Sequence, residues 1–278
     1  MAWTKMKTAI VASAVVLLAA GTTTVTIKEI QAHRTYPWQT RQYDYRLLDK
    51  APPQLAILPS KYSANGGFGS SLGGIMGVGE PATCVVEAAY DWYHIPRIAL
   101  DAQLPRGSYD FIGSGAANSK ALKDEVKRKF GVTAKIETRE TDVWLLTVKS
   151  SNALGLGPNT NPDGQSHISR GDIALVNSTP ANFAYLLENM VRNLPIIDRT
   201  GLADNPDFDK EPVIGNKPKV TLRQTPKQGF DINLKWDDGT EGQPHNIDNL
   251  KQALLDQLGL ELVSTNMPVE MLVVEKAK

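Results

Sequence analysis

The segment "GVTAKIETRETDVWLLTVKS" (Gly131–Ser150) has a near echo in "GLELVSTNMPVEMLVVEKAK" (Gly259–Lys278). Each echo opens with alternating apolar and polar residues, continues with a polar stretch, and closes with an apolar run. Alternation of period two predicts a strand with one buried face, and a short apolar run predicts a strand buried on both faces. We therefore predict strand, turn ("TRETD" or "STNMP") and strand in each echo, and aligning Val143 with Val269 requires a gap of two residues.

An amphipathic helix is predicted before each echo, in "NSKALKDEVKRKF" and in "NIDNLKQALLDQL". The apolar stripes are Leu122, Val126 and Phe130 in the first helix, and Leu250, Ala253, Leu254 and Leu258 in the second. Gly131 and Gly259 follow these helices where a left-handed residue commonly ends a helix. Both helices are therefore predicted to stop at a glycine.

A second pair of similar segments lies upstream, "IMGVGEPATCVVEAAYDWY" (75–93) and "IALVNSTPANFAYLLENMV" (173–191). Each reads as a short strand, a turn with proline and an amphipathic helix, and Thr179 followed by Pro180 predicts a helix start. The apolar stripe of the second helix is Phe183, Leu186, Leu187 and Met190. Aromatic strands, "SYDFIGSG" and "FDINLKW", follow. The sequence thus predicts an α+β fold built from a duplicated strand-helix-strand-helix-strand-strand unit, with the helices packed on an antiparallel or mixed sheet.

These segments divide the chain into five predicted parts. They are a signal anchor at 1–30, a tether with a first strand at 31–74, a first α+β repeat at 75–150, a linker at 151–171, and a second repeat at 172–278 with an inserted loop at 202–229. Within the tether, Gln54–Pro59 is a predicted strand and "SANGGFGSSLGG" a flexible loop. The inserted loop is either a binding surface or plain disorder.

The N-terminal segment Thr8–Ile27 is uncharged over twenty residues and follows Lys5 and Lys7. As a helix it would be about 30 Å long, enough to cross a bilayer. We predict an uncleaved signal anchor, with a cleaved signal peptide and a buried soluble helix as the alternatives. The two lysines predict that the short end lies inside and the bulk of the chain outside the inner membrane, although arginines beyond the segment oppose this orientation.

The composition excludes several classes of function. Of 278 residues 41% are hydrophobic, so the chain can bury a core, and the 30 basic and 30 acidic side chains cancel. We expect no nucleic-acid partner, because no basic patch stands out. Cys84 is the single cysteine, which excludes an internal disulfide and a thiolate-rich zinc site, and it is predicted to be a small buried hydrophobe.

Two residues are candidates for a catalytic role. Ser71 lies in "GSSLG", which matches G-x-S-x-G, but that motif needs a strand before it and a helix after it, and a flexible loop is the favoured interpretation. The same glycines lack the lysine of a phosphate-binding loop. Asp198 in "DRTGL" is favoured as a turn residue over a catalytic carboxylate.

The histidines and tryptophans give no clear site. His33, His94, His167 and His245 are scattered without the spacing of a metal-binding helical pair. Trp92, Trp144 and Trp236 offer aromatic area for recognition, but Trp92 and Trp144 lie on elements that need core residues. We therefore expect no catalytic residue, no cofactor and no metal.

The segments "PIIDRTGL", "FDINLKW", "LKQALLDQLGLELVSTNMPVEMLVVEKAK" and "LKDEVKRKFGVTAKIETRETDVWLLTV" resemble a large family of uncharacterised proteins expanded in soil acidobacteria and also found in verrucomicrobia. The resemblance covers about residues 75–276, and it implies an N-terminal signal or anchor and an envelope location, but no chemistry. The chain departs from the family pattern in its long segment 202–229 and its glycine-rich "SANGGFGSSLGG". The repeated helix-strand-strand unit is also similar to the short periplasmic domains that precede secretin and TonB-dependent receptor pores, which dock partners.

These observations lead to one expected function and two alternatives. We expect a membrane-tethered, non-enzymatic envelope module, anchored in the inner membrane through residues 8–27, whose soluble part lies in the periplasm and binds a protein or an envelope polymer. Cleavage of the N-terminal segment would make it a secreted protein. The alternatives are an envelope hydrolase with a site between the two repeats, and a regulator that faces the cytoplasm because the topology is reversed.

Overall fold

The computed structural model describes residues 36–62, 66–115, 119–150, 156–158, 164–202 and 229–278. The strands are β1 (Gln54–Pro59), β2 (Phe68–Ser71), β3 (Gly74–Pro81), β4 (Ile98–Leu100), β5 (Ser108–Ser114), β6 (Val132–Val148), β7 (Leu156–Pro158), β8 (His167–Ser169), β9 (Asp172–Ser178), β10 (Ile196–Asp198), β11 (Phe230–Lys235) and β12 (Leu260–Lys276). The helices are α1 (Tyr45–Lys50), α2 (Ala82–Tyr90), α3 (Ser119–Phe130), α4 (Pro180–Val191) and α5 (Ile247–Ala253), which continues as a π-helical turn, Leu254–Leu258. The predicted α+β class is confirmed.

The strands form three four-stranded sheets. The first sheet has the order β1-β5-β3-β2, and the second has the order β7-β11-β9-β8; both are antiparallel. The third, which we call the ribbon sheet, has the order β10-β6-β12-β4. In the ribbon sheet β6 and β12 pair antiparallel, whereas the short strands β10 and β4 run parallel to their long neighbours.

The element order from β3 to β6, which we call the first half, recurs from β9 to β12, which we call the second half. Each half runs strand, helix, short strand, strand, helix, long strand. The short strand of each half pairs with the long strand of the other half, since β4 lies beside β12 and β10 beside β6. The two halves therefore exchange their short strands in the ribbon sheet.

The turns predicted within the two echoes are wrong. "TRETD" and "STNMP" continue the strands, and β6 and β12 pair over their full 17 residues. Pro268 is tolerated because the N–H of Leu272 points towards the β4 side, where it bonds Arg97. Pro268 lies four residues before Leu272, and backbone N–H groups an even number of residues apart in a strand point to the same side. The N–H that proline lacks would therefore point to the β4 side, where no described strand pairs with β12 at this position. Pairing between distant strands overrides the local turn signal.

The two long strands also correspond without the predicted two-residue gap. The first residues of β10 and β4 pair with Trp144 and Leu272. Trp144 lies 13 residues after Gly131, and Leu272 lies 13 residues after Gly259. The burial patterns of the two strands, read from their first residues, differ at only two positions.

Several short elements were not predicted. β2 lies in the predicted flexible loop, β7 and β8 lie in the predicted linker, α1 lies in the predicted tether, and β4 and β10 were missed. These short strands have no hydrophobic alternation in their sequences. They are extended because they pair with neighbouring strands in their sheets. The predicted strand Gln54–Pro59 is confirmed. The predicted anchor at 1–30 and almost all of the inserted loop lie outside the described residues; among those described, no helix is long and apolar enough to cross a membrane.

Two hydrophobic cores each draw on both halves. The first core packs α2 and α3 against the first sheet and includes Leu272 and Val274 from the end of β12. The second packs α4 and α5 against the second sheet and includes Trp144 and Leu146 from the end of β6. Each long strand therefore contributes its last buried residues to the core of the other half.

The predicted helix signals are confirmed. Leu122 and Val126 are fully buried, and Thr179 Oγ1 accepts a hydrogen bond from the Asn182 backbone N–H at 3.1 Å. Gly131 and Gly259 have φ of +67° and +63°, the left-handed conformation expected at a helix end.

Candidate functional site

Two buried glutamates occupy matching places on α2 and α4. Glu87 lies four residues before Asp91, and Glu188 lies four residues before Arg192. Asp91 and Arg192 are both left-handed caps with φ of 54°, and each cap N–H bonds the carbonyl of its glutamate. Both residues are buried, since Glu87 is 3% exposed and Glu188 0%. Helix ends of the same geometry thus place one carboxyl in each half.

The carboxylate of Glu188 is fully bonded. Arg97 from the first half donates to it from Nη2 at 2.7 Å and from Nε at 2.9 Å, and the Ile196 N–H donates at 2.8 Å. His94 Nδ1 lies 3.1 Å from the same carboxylate. Burial acts to raise the pKa of Glu188, but the bonds from His94, Arg97 and Ile196 outweigh it and hold the pKa below its ordinary value. Glu188 is therefore an ionised anchor between the halves.

Two aromatic side chains contact His94 beside this ion pair. The His94 ring lies edge-on to Tyr185 with centroids 5.2 Å apart, and it lies 5.5 Å from the Trp92 ring. The Ile95 N–H donates to Asn189 Oδ1 at 3.2 Å. The segment that leads from α2 to β4 is thus fixed on the side of α4, which belongs to the other half.

The carboxyl of Glu87 has a different environment. No hydrogen bond reaches its side chain within the described part of the chain, and burial raises its pKa to about 7. Arg192 opposes this rise and Glu80 adds to it. Burial, Glu87 and Glu80 also raise the pKa of the Cys84 thiol, so the thiol stays protonated. Cys84 is half-buried beside these carboxyls rather than sealed in a core as predicted.

The two candidate catalytic residues have local structural partners. Ser71 ends β2, its hydroxyl donates to Asp49 Oδ1, and the chain turns back into β3 instead of entering a helix. The strand-turn-helix that G-x-S-x-G catalysis needs is therefore missing at this site. Asp198 ends β10 and accepts from the Thr200 N–H at 2.9 Å and hydroxyl at 2.7 Å, as its predicted turn role requires.

The histidines do not gather into one site. His94 contacts Glu188, His167 Nε2 lies 3.1 Å from Ser169 Oγ, and His245 Nδ1 bonds Asp238. His33 lies outside the described residues. Among the residues with described positions, no three histidine, cysteine or acidic side chains are arranged to hold a metal ion.

The predicted burial of two tryptophans is confirmed. Trp92 and Trp144 are buried, and Trp236 packs partly buried against the second core. These rings serve the cores in this structure.

Sequence reasoning missed Arg97, Glu87 and Glu188. A signal was present, since the second pair of similar segments places one glutamate near the end of each helix, in "EAAYD" and "ENMVR". The partner of Glu188 was not visible, because Arg97 is 91 residues away in the chain.

Comparisons with known proteins give a family and nothing beyond it. No curated protein and no solved structure matches the chain. A family profile described as "Protein of unknown function (DUF3738)" matches residues 99–277. The match begins inside β4, so it covers the first half from β4 onwards and the whole second half. It includes Glu188 but not Glu87 or Arg97. The predicted membership of an uncharacterised family is thus confirmed, and the chain belongs to the DUF3738 family.

Proposed function

We propose that the protein is a non-catalytic binding module, tethered to the inner membrane through residues 8–27, which binds a protein partner by adding a strand at the edge of its second sheet. The single observation that carries the binding part is the edge strand β8. All three of its residues are exposed, and among the described strands it pairs only with β9. An unpaired row of backbone groups on such an edge accepts an extended peptide.

The corresponding edge of the first sheet is less open. The strand there is β2, and α1 lies against it, with Asp49 bonded to Ser71. A side chain added at Gly69 would come within 3.0 Å of the Tyr43 ring. The first sheet therefore protects its edge, whereas β8 presents Ile168 with 45% of its surface exposed. A large apolar side chain in the middle of an edge strand suits a partner strand.

We infer that the two halves arose by duplication of one unit. The equal element order, the exchanged short strands and the nearly identical burial patterns of β6 and β12 support this origin. Duplication followed by divergence also accounts for one protected and one open edge in otherwise matching sheets.

The location rests on the sequence alone. Thr8–Ile27 has the length and composition of a membrane span, and Lys5 and Lys7 favour a short cytoplasmic end. The soluble part would then lie in the periplasm. With reversed topology the same binding module would be a cytoplasm-facing regulator, which is the alternative that the first experiment separates.

The first experiment asks on which side of the membrane the module lies. A C-terminal tag is exposed to protease in intact spheroplasts, with lysed cells as the control. Digestion in intact spheroplasts supports the periplasmic module, and protection until lysis favours the regulator.

The second experiment tests the β8 edge. A photo-crosslinking residue is placed at Ile168 and, in a matched variant, at Ile136, a somewhat more exposed isoleucine on the long strand β6. Strand addition predicts one defined crosslinked partner from position 168, little from 136, and slower amide exchange in β8 when that partner is added. Equal crosslinking from both positions, or none from 168, would rule the edge out.

The hydrolase alternative depends on a histidine within reach of Ser71 or Asp198. In the residues with described positions these two side chains bond Asp49 and Thr200 instead. The geometry gives this alternative no specific observation in its favour.

A further inference from the structure

The ion pair at Glu188 provides a reference for the unpaired Glu87. Arg97 is the residue directly before β4, and its carbonyl accepts from the Leu272 N–H at 2.8 Å. Pro195 is the residue directly before β10, and its carbonyl accepts from the Trp144 N–H at 2.9 Å. Arg97 and Pro195 therefore hold the same place in the two halves. Where Glu188 receives a guanidinium group from the opposite half, the corresponding residue for Glu87 is a proline.

Glu87 is left with an unused carboxyl. It is 3% exposed and accepts no hydrogen bond from the part of the chain that the structure describes. Since neither oxygen is bonded there, and neither is among the unbonded atoms that are fully sealed from solvent, both oxygens can be reached by a small group from outside. A buried carboxyl without a donor costs free energy, which a ligand that donates to it would recover.

The neighbouring charged groups do not fill this role. The charge of Arg192 lowers the pKa of Glu87, but the hydrogen bond described for its side chain runs from Nε to the Asn189 carbonyl at 3.2 Å and not to Glu87. Glu80 accepts from the Gly67 N–H at 2.7 Å and adds a second negative charge beside Glu87 and the protonated Cys84. The surroundings therefore hold two carboxyls against one cation.

We propose that Glu87 is a binding residue for a guanidinium or primary ammonium group brought by a ligand, which takes the place that Arg97 takes at Glu188. The group is a small free cation or a basic side chain of a bound polypeptide. Two parallel donors of a guanidinium match a carboxylate in the geometry already present at the other helix end. This site is independent of the β8 edge and stands or falls separately.

The direct test uses two probes on the purified full-length chain at about pH 8, where Glu87 is ionised. Methylguanidinium chloride represents the free cation, and acetyl-Gly-Arg-Gly-amide represents the basic side chain, with sodium chloride and acetyl-Gly-Gly-Gly-amide as controls. We expect saturable binding by calorimetry, and the Glu87→Gln variant should bind about ten- to hundredfold more weakly. Binding of both probes identifies the cationic group itself as the ligand, and binding of the peptide alone identifies a polypeptide source.

The affinity should also follow the ionisation of Glu87. Below its pKa of about 7 the affinity should fall about tenfold for each pH unit. An ordinary surface carboxyl titrates at about pH 4, so binding to a surface site would not change at about pH 7. The pH profile therefore distinguishes binding at Glu87 from binding at a surface carboxylate.

A variant that supplies the cation within the chain is the second test. Pro195→Arg places a guanidinium where Arg97 stands in the other half, so it should abolish probe binding and lower the pKa of Glu87 measured by carboxyl-carbon NMR. Two results would each overturn the proposal: neither probe binds the wild-type chain saturably, or both probes bind Glu87→Gln as well as they bind the wild type.

Discussion

Arg97 and Glu188 belong to different halves of the chain and form a two-pronged ion pair, with Arg97 Nη2 at 2.7 Å and Nε at 2.9 Å from the carboxylate oxygens. The pair lies next to the short strands that the two halves exchange, because Arg97 precedes β4 and Glu188 also bonds the Ile196 N–H of β10. One carboxylate thus connects the end of α4 to both short strands. At this point the two halves are joined by an ion pair as well as by the shared cores.

Replacing Glu188 with glutamine should be strongly destabilising. The variant leaves the guanidinium of Arg97, which is 18% exposed, without its negative partner. Breaking a buried pair from one side costs about 3–5 kcal/mol, so we expect the free energy of unfolding to fall by about 3 kcal/mol. Urea unfolding followed by tryptophan fluorescence measures the change.

A surface pair serves as the control for this prediction. Lys149, the residue after β6, pairs with Glu261 of β12, but Lys149 is 59% exposed, so Lys149→Gln should cost about 1 kcal/mol or less. If both variants lose the same free energy of unfolding, burial does not make the Arg97–Glu188 pair contribute more to stability than the exposed pair.

Glu87 should make the stability of the protein fall with rising pH. Its pKa rises from 4.5 in the unfolded chain to about 7 in the folded chain, so the folded state binds the extra proton between these values. Stability then declines as pH increases through this window, in total by about 3 kcal/mol. Glu87→Gln has no such proton, and it should be more stable than the wild type at pH 8 and similar to it at pH 4. Unfolding curves across this range test the effect, and parallel pH profiles for the two proteins would contradict it.

The sequence predicted the parts of the fold that local chemistry determines. Gly131, Gly259 and the Thr179 cap end or begin helices because of their own backbone preferences and side-chain bonds. The apolar stripes of the helices were equally readable. These features depend on residues a few positions apart.

Pairing between distant strands was not readable. The polar stretch around Glu140 and Pro268 has the composition of a turn, yet each of these residues faces the other in the 17-residue pairing of β6 and β12. The site was missed for the same reason, since the partner of Glu188 comes from the opposite half. Periodicity reports which face of an element is buried, and not which element buries it.

The left-handed conformation of Gly131 gives a prediction with a small expected effect. Its φ is +67°, and a Cβ added there would meet no atom within 4 Å. Gly131→Ala should therefore cost only the backbone penalty, about 1 kcal/mol, and Gly131→Asn less, because asparagine tolerates this conformation. Gly77→Ala is the contrasting variant, since its Cβ would lie 2.2 Å from the Phe111 ring. Thermal unfolding should rank Gly77→Ala as the most destabilised of the three, and the reverse order would contradict the assigned geometry.

Asp110 and Asp231 give the most direct test of whether the two halves use the same internal support. Asp110 accepts from the Gly79 N–H at 2.8 Å, and Asp231 accepts from the Asn177 N–H at 3.1 Å. Gly79 and Asn177 are both left-handed residues near the end of the strand before a helix, with φ of 66° and 53°. Each aspartate thus bonds a backbone N–H that the irregular strand would otherwise leave without a sheet partner.

The two alanine variants should nevertheless differ in size. Asp110 is 0% exposed and also accepts from Gln39 Nε2 at 2.8 Å, so Asp110→Ala leaves two buried donors without an acceptor. We expect a loss of about 3 kcal/mol for Asp110→Ala, and a smaller loss of about 1 kcal/mol for the half-buried Asp231. Amide exchange should accelerate at position 79 in the first variant and at position 177 in the second. If exchange at these two amides is unchanged while stability falls, the aspartates stabilise the protein through packing and not through their bonds to the Gly79 and Asn177 N–H groups.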